Sequence, residues 1–293
     1  MRMVELMAGV VVLVTTWSCA DQETRETATS GHLVVSCAES AIPYLNRCAV
    51  AFTTLYEKAT IDVDTTTSRE ALVDLVNGKS RLAVMARDLN AAESTVVNSG
   101  RQRLVTQKVA FDAIAVIVNG ENPVEQLTFE QLEGIFTGAI HDWREVGGPD
   151  RPIIPLIRDR NSGTYELFQQ RVLHEKGYGA TARACSTARQ LVAVVAQEPG
   201  AIGCAGMAWV QQGNIKAIAV AEKEGGAFVV PSQQSIYDQS YPLRRPLILC
   251  SFGEKIDLVA GFVTFMASAQ GQRLAVSEGL VPATMPVRIV QMK

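Results

Sequence analysis

The sequence predicts an α/β protein built on parallel sheets, and three observations carry that prediction. Short β-type runs alternate with amphipathic helical stretches along most of the chain, the pattern of strands joined by crossover helices. Several of those helices open on hydroxyl-rich sequences that directly follow an apolar strand. The chain has 293 residues, 47% of them apolar, which is too many for a minimal core and suits two domains or one large α/β domain. Net charge is −3, and no basic run of five or more occurs. That excludes nucleic acid as the main partner. It leaves a small anion open, because local geometry rather than global charge makes an anion site.

Residues 1–19 read as an export segment. Arg2 supplies a positive start and Met7 to Val14 an apolar stretch too short to span a bilayer. Thr15-Thr16-Trp17-Ser18-Cys19 follows. A small residue before a Cys at this point resembles a bacterial lipoprotein cleavage box, with Cys19 as the lipidated residue. Thr16 and Trp17 depart from the box, and an ordinary signal peptide with an incidental Cys is the alternative. Residues 20–30 are polar and without period, the composition of a tether.

His32 to Ser36 is a β-type run, after which Ser40 is placed to cap a helix. Ile42, Leu45, Ala49, Phe52 and Tyr56 recur on one helical face, with Pro43 in the first turn where proline is tolerated. Ile61 to Thr65 alternates as a strand does. Thr67-Ser68-Arg69-Glu70 is a capping box for a helix with Ala71, Leu72, Leu75 and Val76 on its buried face, ending at Gly78. Leu82 to Met85 and Val109 to Asn119 are apolar strands. Asn122-Pro123 breaks the second, and Thr128-Phe129-Glu130-Gln131 is another capping box. Ile153 to Ile157 is a strand that runs into Arg158-Asp159-Arg160-Asn161-Ser162-Gly163-Thr164 and a helix. Thr187 to Gln197 reads as helix, Ala201 to Ala205 as strand, Tyr241 to Cys250 as a long extended segment, and Leu258 to Leu280 as helix in two parts.

Three of these strand-to-helix junctions carry one chemistry. Each sets hydroxyls and free backbone N–H groups at the positive end of a helix dipole, which favours anions. They are Ser36 to Ala41, Thr65 to Ser68, and Asn161 to Thr164 with Arg158 four residues before Ser162. Gly163 permits close backbone approach, and Arg158 can grip one oxyanion with two parallel hydrogen bonds. In open α/β sheets ligands sit at the carboxyl ends of strands, where all three junctions fall. Singly, each hydroxyl is equally a plain helix cap; the convergence of three loops and an arginine carries the reading.

Other chemistries lack their residues. His32, His141 and His174 have no metal-ligand spacing, no G-x-S-x-G nucleophile turn occurs, and no phosphate-cradling G-x-x-x-x-G-K-[ST] occurs. The expectation is a binding protein rather than an enzyme, with no cofactor. Cys37, Cys48, Cys185, Cys204 and Cys250 form no C-x-x-C and sit mostly in apolar runs, so they read as buried free thiols.

Residues 31–293 resemble the phosphate-binding proteins of bacterial ABC phosphate importers. The resemblance rests on Phe111 to Asn119, Asn122-Pro123, Leu127-Thr128 with Gln131-Leu132, Ile135-Phe136-Thr137-Gly138, Asp142-Trp143 with Val146-Gly147-Gly148, and Arg158 with Ser162-Gly163-Thr164. Gly271-Gln272, Gly279 to Pro282 and Met285-Pro286 extend it. It implies the two-domain type II periplasmic binding-protein fold with two hinge-crossing strands. Domain 1 would be discontinuous, residues 31–112 and 244–293, and domain 2 residues 113–243. It implies inorganic phosphate as ligand, held by Arg158, Ser162, Gly163 and Thr164 on one wall and by Ser40, Ala41 and either Thr67 or Ser68 on the other. Arg87, which the resemblance adds to the ligand residues, falls where some members keep a proton-accepting aspartate. Glu39 or Asp88 would then supply that acceptor, or be solvated loop charges. The resemblance further implies permease subunits of an ABC transporter as partners, a monomer, and contact with the membrane only through the lipid anchor. The alternatives are the same fold holding sulfate, molybdate or a phosphate ester, one serving phosphate sensing or scavenging without import, and a phosphatase using Ser40 or Ser162.

Overall fold

The computed structural model describes residues 26–284 apart from 101, 211 and 254–256. The export segment and Cys19 lie outside the described residues. In chain order the elements are β1 (Gly31–Ala38), α1 (Ile42–Leu55), β2 (Ala59–Thr66), α2 (Ser68–Val76), β3 (Leu82–Met85), α3 (Ala91–Ser99) and β4 (Leu104–Asn119). There follow β5 (Gln126–Thr128), α4 (Phe129–Thr137), β6 (Ile154–Arg158), α5 (Gly163–Arg171), β7 (Arg183–Cys185), α6 (Ala188–Gln197) and β8 (Ala201–Gly206). The last are β9 (Ile215–Ala217), β10 (Ala219–Ala221), α7 (Gln233–Tyr237), β11 (Arg244–Phe252), α8 (Leu258–Ala267), α9 (Ala269–Ser277) and β12 (Val281–Pro282).

The main sheet runs β2-β1-β3-β11-β4-β8-β6-β7. Each end is a parallel triad: β1 lies between β2 and β3, and β6 between β8 and β7. The middle is antiparallel, with β11 against β3 and β4, and β4 against β8. The first half of β4 pairs with β11 through Ala113; from Ile114 onward it pairs with β8. One long strand therefore belongs to both triads' surroundings. The carboxyl ends of β1, β2 and β3 face those of β6, β7 and β8, and the loops between them meet.

The buried side chains divide along the same line. Leu33, Leu45, Phe52, Val109, Leu247 and Phe262 form a cluster on one face of the first triad, and Leu72, Met85, Ile248 and Cys250 one on the other. Around the second triad, Ile114, Val116, Phe136, Trp143 and Phe168 lie on one face, and Ala115, Ile117, Leu191 and Trp209 on the other. From Ile114 to Val118 the period-two alternation of β4 sends successive residues to opposite clusters.

The helix starts follow local chemistry. Thr67 and Glu70 form the expected capping box of α2, and Thr128 and Gln131 that of α4. Val76, expected on the buried face of α2, is exposed, because the helix ends there and turns it to solvent. Asn90 and Glu93 cap α3 in the same way. Periodicity does not reveal α3, because Val97 is the one residue of that helix that is buried. Ser40 is a correction: it lies in a 3₁₀ turn, Glu39–Ala41, and α1 begins at Ile42 with Ala41 in the cap position and no side-chain cap. Pro43 in the first turn lacks one of the N–H groups a cap would serve. The extended segment expected from Tyr241 starts as a strand only at Arg244. Residues 26–30 of the expected tether are built into the fold: Glu26 accepts from Arg81 at 2.7 Å and from the Leu258 N–H at 3.1 Å, where α8 begins. The five expected thiols are free and buried.

Candidate functional site

Arg158 ends β6, and its guanidinium turns into the space between the two triads, 7% exposed. It donates from Nη2 to the Ser186 carbonyl at 3.0 Å and from Nε to that of Cys185 at 3.4 Å. The Cys185 carbonyl ends β7 and that of Ser186 follows it, so the neighbouring parallel strand aims the side chain. Ser162 caps α5 by accepting from the Thr164 N–H at 3.2 Å. The Thr164 hydroxyl accepts from Arg245 Nη1 at 2.8 Å, and Arg245 is itself held by Asp112, 2.6 and 2.9 Å from Nη2 and Nε. That ion pair is fully buried beneath the site. Asp112 also accepts from the Met207 N–H at 3.1 Å, past the end of β8.

The first triad supplies the facing wall. Thr67 caps α2, and the wholly buried Ser68 accepts from the Ala86 N–H at 3.1 Å through its hydroxyl. Ala38, Glu39, Ser40, Thr66, Thr67 and Ser68 from this side and Arg158 and Ser162 to Thr164 from the other enclose one cavity of about 20 Å³. The walls touch. A Cβ on Gly163 would stand 2.7 Å from the Ser68 hydroxyl and 3.3 Å from the Ala86 carbonyl. Glycine is required there because the α5 N-terminus abuts the opposite wall.

Charged contacts also cross the cleft. Glu39 Oε2 lies 2.7 Å from Arg158 Nη2, and the same carboxylate accepts from the Ala188 N–H at 2.9 and 3.0 Å, the first turn of α6. Arg69 donates to Glu166 on α5 at 2.9 Å. Arg87 is paired with Glu166 as well, and grips Glu93 with two bonds of 2.7 Å. Those bonds raise the Arg87 pKa against the opposing effect of burial. Burial would raise the pKa of Glu93, but Arg87 and the Asn90 N–H hold it below the ordinary glutamate value.

Most of the expected residues therefore share one small cavity, and three placements differ. Arg87 is not on its lining; its guanidinium is engaged by two carboxylates beside it. Asp88 points away, 66% exposed and 3.5 Å from Lys108. Ala41 is buried behind the cavity, not on it. Two contributors escape sequence reading. Glu166 and the Asp112–Arg245 pair reach the site from across the fold, and no local spacing signals them. Among the described residues no cluster of His, Cys, Asp or Glu could hold a metal.

Two parallel triads joined through antiparallel strands, with a cleft between their carboxyl ends, form the periplasmic binding-protein architecture. The chain belongs to the PBP superfamily: the PBP_like_2 model, described as a PBP superfamily domain, matches residues 22–270. It is similar to the phosphate-binding protein PstS of Pseudomonas aeruginosa, 25% identical over 279 residues that cover 89% of this chain and 85% of the relative. Among solved structures it is similar to an ABC-type phosphate transport receptor from Vibrio cholerae, with a TM-score of 0.70 and 26% identity over 87% of this chain and all of that one. A Clostridium perfringens protein described as a phosphate ABC transporter substrate-binding protein, solved with bound phosphate, superposes with a TM-score of 0.77 and 26% identity over 86% of this chain and 100% of its own.

Proposed function

We propose that this chain captures inorganic phosphate in the cleft and hands it to the permease subunits of an ABC importer. One observation carries the reading: a buried arginine, a helix N-terminus bearing Ser162-Gly163-Thr164, and the hydroxyls of Ser40, Thr67 and Ser68 converge on one cavity from opposite triads. Guanidinium, hydroxyl and N–H groups are all donors, the set a tetrahedral oxyanion needs. Residues 31–112 with 244–293 and residues 113–243 act as two domains. An anion that contacts both favours the closed form by those contacts, and β4 and β11 serve as the crossing hinge strands. Glu39 is the carboxylate that meets the ligand, accepting the proton of hydrogen phosphate and repelling fully ionised oxyanions. Export with lipidation at Cys19 would keep this monomer on the outer face of the membrane.

Isothermal titration of the full chain against phosphate, sulfate, molybdate and a phosphate monoester tests the reading. Phosphate binding tightest supports it, and sulfate or molybdate binding tighter overturns it. Arg158→Ala should lower phosphate affinity by about 2–3 kcal/mol, roughly 30- to 150-fold, with the circular dichroism spectrum unchanged. A wild-type affinity in that variant would place the site elsewhere.

A further inference from the structure

The crossing strands β4 and β11 carry a second set of side chains on their reverse face. Arg245 sits opposite Asp112, and both turn toward the cleft. Their neighbours Arg244 and Phe111 turn the other way, as strand alternation requires. There the Arg244 guanidinium stacks over the Phe111 ring, 3.7 Å from its centroid. Both line a groove of about 700 Å³ with Lys108, Arg171, Lys223 and Tyr241. That volume lies within the range of small-molecule sites.

The charges of this groove do not cancel. Asp88 stands 3.5 Å from Lys108 and Glu222 3.2 Å from Arg171. Arg244 and Lys223 have no carboxylate partner among the described residues. Arg244 Nε is buried without a hydrogen-bond partner, and burial lowers the Arg244 pKa with nothing to offset it. A half-buried guanidinium stacked on an aromatic ring, its Nε without a partner, beside a free ammonium, is an anion-binding arrangement with an apolar floor.

We propose that this groove is a second binding site, for a small organic anion whose carboxylate or phosphoryl head meets Arg244 and Lys223 and whose flat apolar body lies along Phe111 and Pro242. The site is separate from the cleft. It takes Lys108 and Phe111 from β4, Arg244 from β11, and Lys223 and Tyr241 from the stretch between β10 and β11.

The test is calorimetric titration of the phosphate-saturated full chain with two probes, phenyl phosphate and benzoate. The expected result is saturable one-to-one binding of at least one probe. Arg244→Gln and Phe111→Leu should each weaken it by roughly tenfold or more while phosphate affinity is unchanged. Arg158→Ala should retain it, which separates the groove from the cleft. No saturable binding of either probe at millimolar concentration overturns the proposal. So does binding that survives both groove substitutions, or that disappears with Arg158→Ala.

Discussion

Glu39 sits between two cationic features, the Arg158 guanidinium and the first turn of α6. Its carboxylate is the one negative group on a cavity otherwise lined with donors. Glu39→Gln removes that charge while preserving shape. The expected outcome is a loss of discrimination, with sulfate affinity rising relative to phosphate by roughly tenfold, measured by competition titration. An unchanged ratio would assign selectivity to other groups. Asp112 acts differently, from beneath the site. It neutralises a wholly buried Arg245 that in turn orients the Thr164 hydroxyl. Asp112→Asn leaves a buried charge uncompensated and should cost about 3–5 kcal/mol of stability, read from urea unfolding. The thiols take no part. Burial pushes Cys48 and Cys250 up to about 12, so alkylation of the native protein should be slow.

At the scale of elements, the first turn of α5 is the most constrained piece of backbone near the cleft. Gly163→Ala inserts a methyl into the contact with Ser68 and Ala86. Each triad can fold around that change, but their approach cannot remain as close. Phosphate affinity should fall by about 1–3 kcal/mol, roughly 5- to 150-fold, with little change in unfolding midpoint without ligand. A large drop in that midpoint would mean that Gly163 serves local folding instead. The helix starts were the most legible elements, because a capping box is a four-residue signal. Thr67 and Glu70, and Thr128 and Gln131, behave as their spacing predicts. α3 was not legible, since it packs almost nothing against the core, and Ser40 misleads because a 3₁₀ turn displaces the start of α1.

For the whole molecule, the closed arrangement depends on charge as well as fit. Glu166 on α5 is shared by Arg69 and Arg87 from the facing wall, and Glu39 bonds Arg158 in the reverse sense. Glu166→Gln should favour the open form, seen as a larger radius of gyration by small-angle scattering without ligand and a weaker phosphate affinity. The same network sets an acid limit. Glu93 is held below the ordinary glutamate pKa, so the folded state binds its proton less readily than the unfolded chain does. The stability it confers is complete above the unfolded value and lost as pH falls through the depressed one. Glu93→Gln should therefore flatten the acid side of the stability profile and leave neutral pH as the region of greatest loss.

The α/β class, the longer strands and helices other than α3, and the loops of Thr67, Ser68, Arg158 and Ser162 to Thr164 were legible in the sequence alone. Hydrophobic period and capping chemistry act over a few residues, and they are written locally. What faces what was decided only by the tertiary structure. Arg87 reads as a ligand residue in the sequence, but Glu93 and Glu166 close on it; of the two candidate acceptors, Glu39 lies on the cavity against Arg158 and the first turn of α6, while Asp88 points away. Arg244 and Arg245 are adjacent in the chain, yet one enters the buried pair beneath the cleft and the other the groove behind it. Such pairings depend on strand order and on the approach of the two triads, and distance along the chain does not encode them.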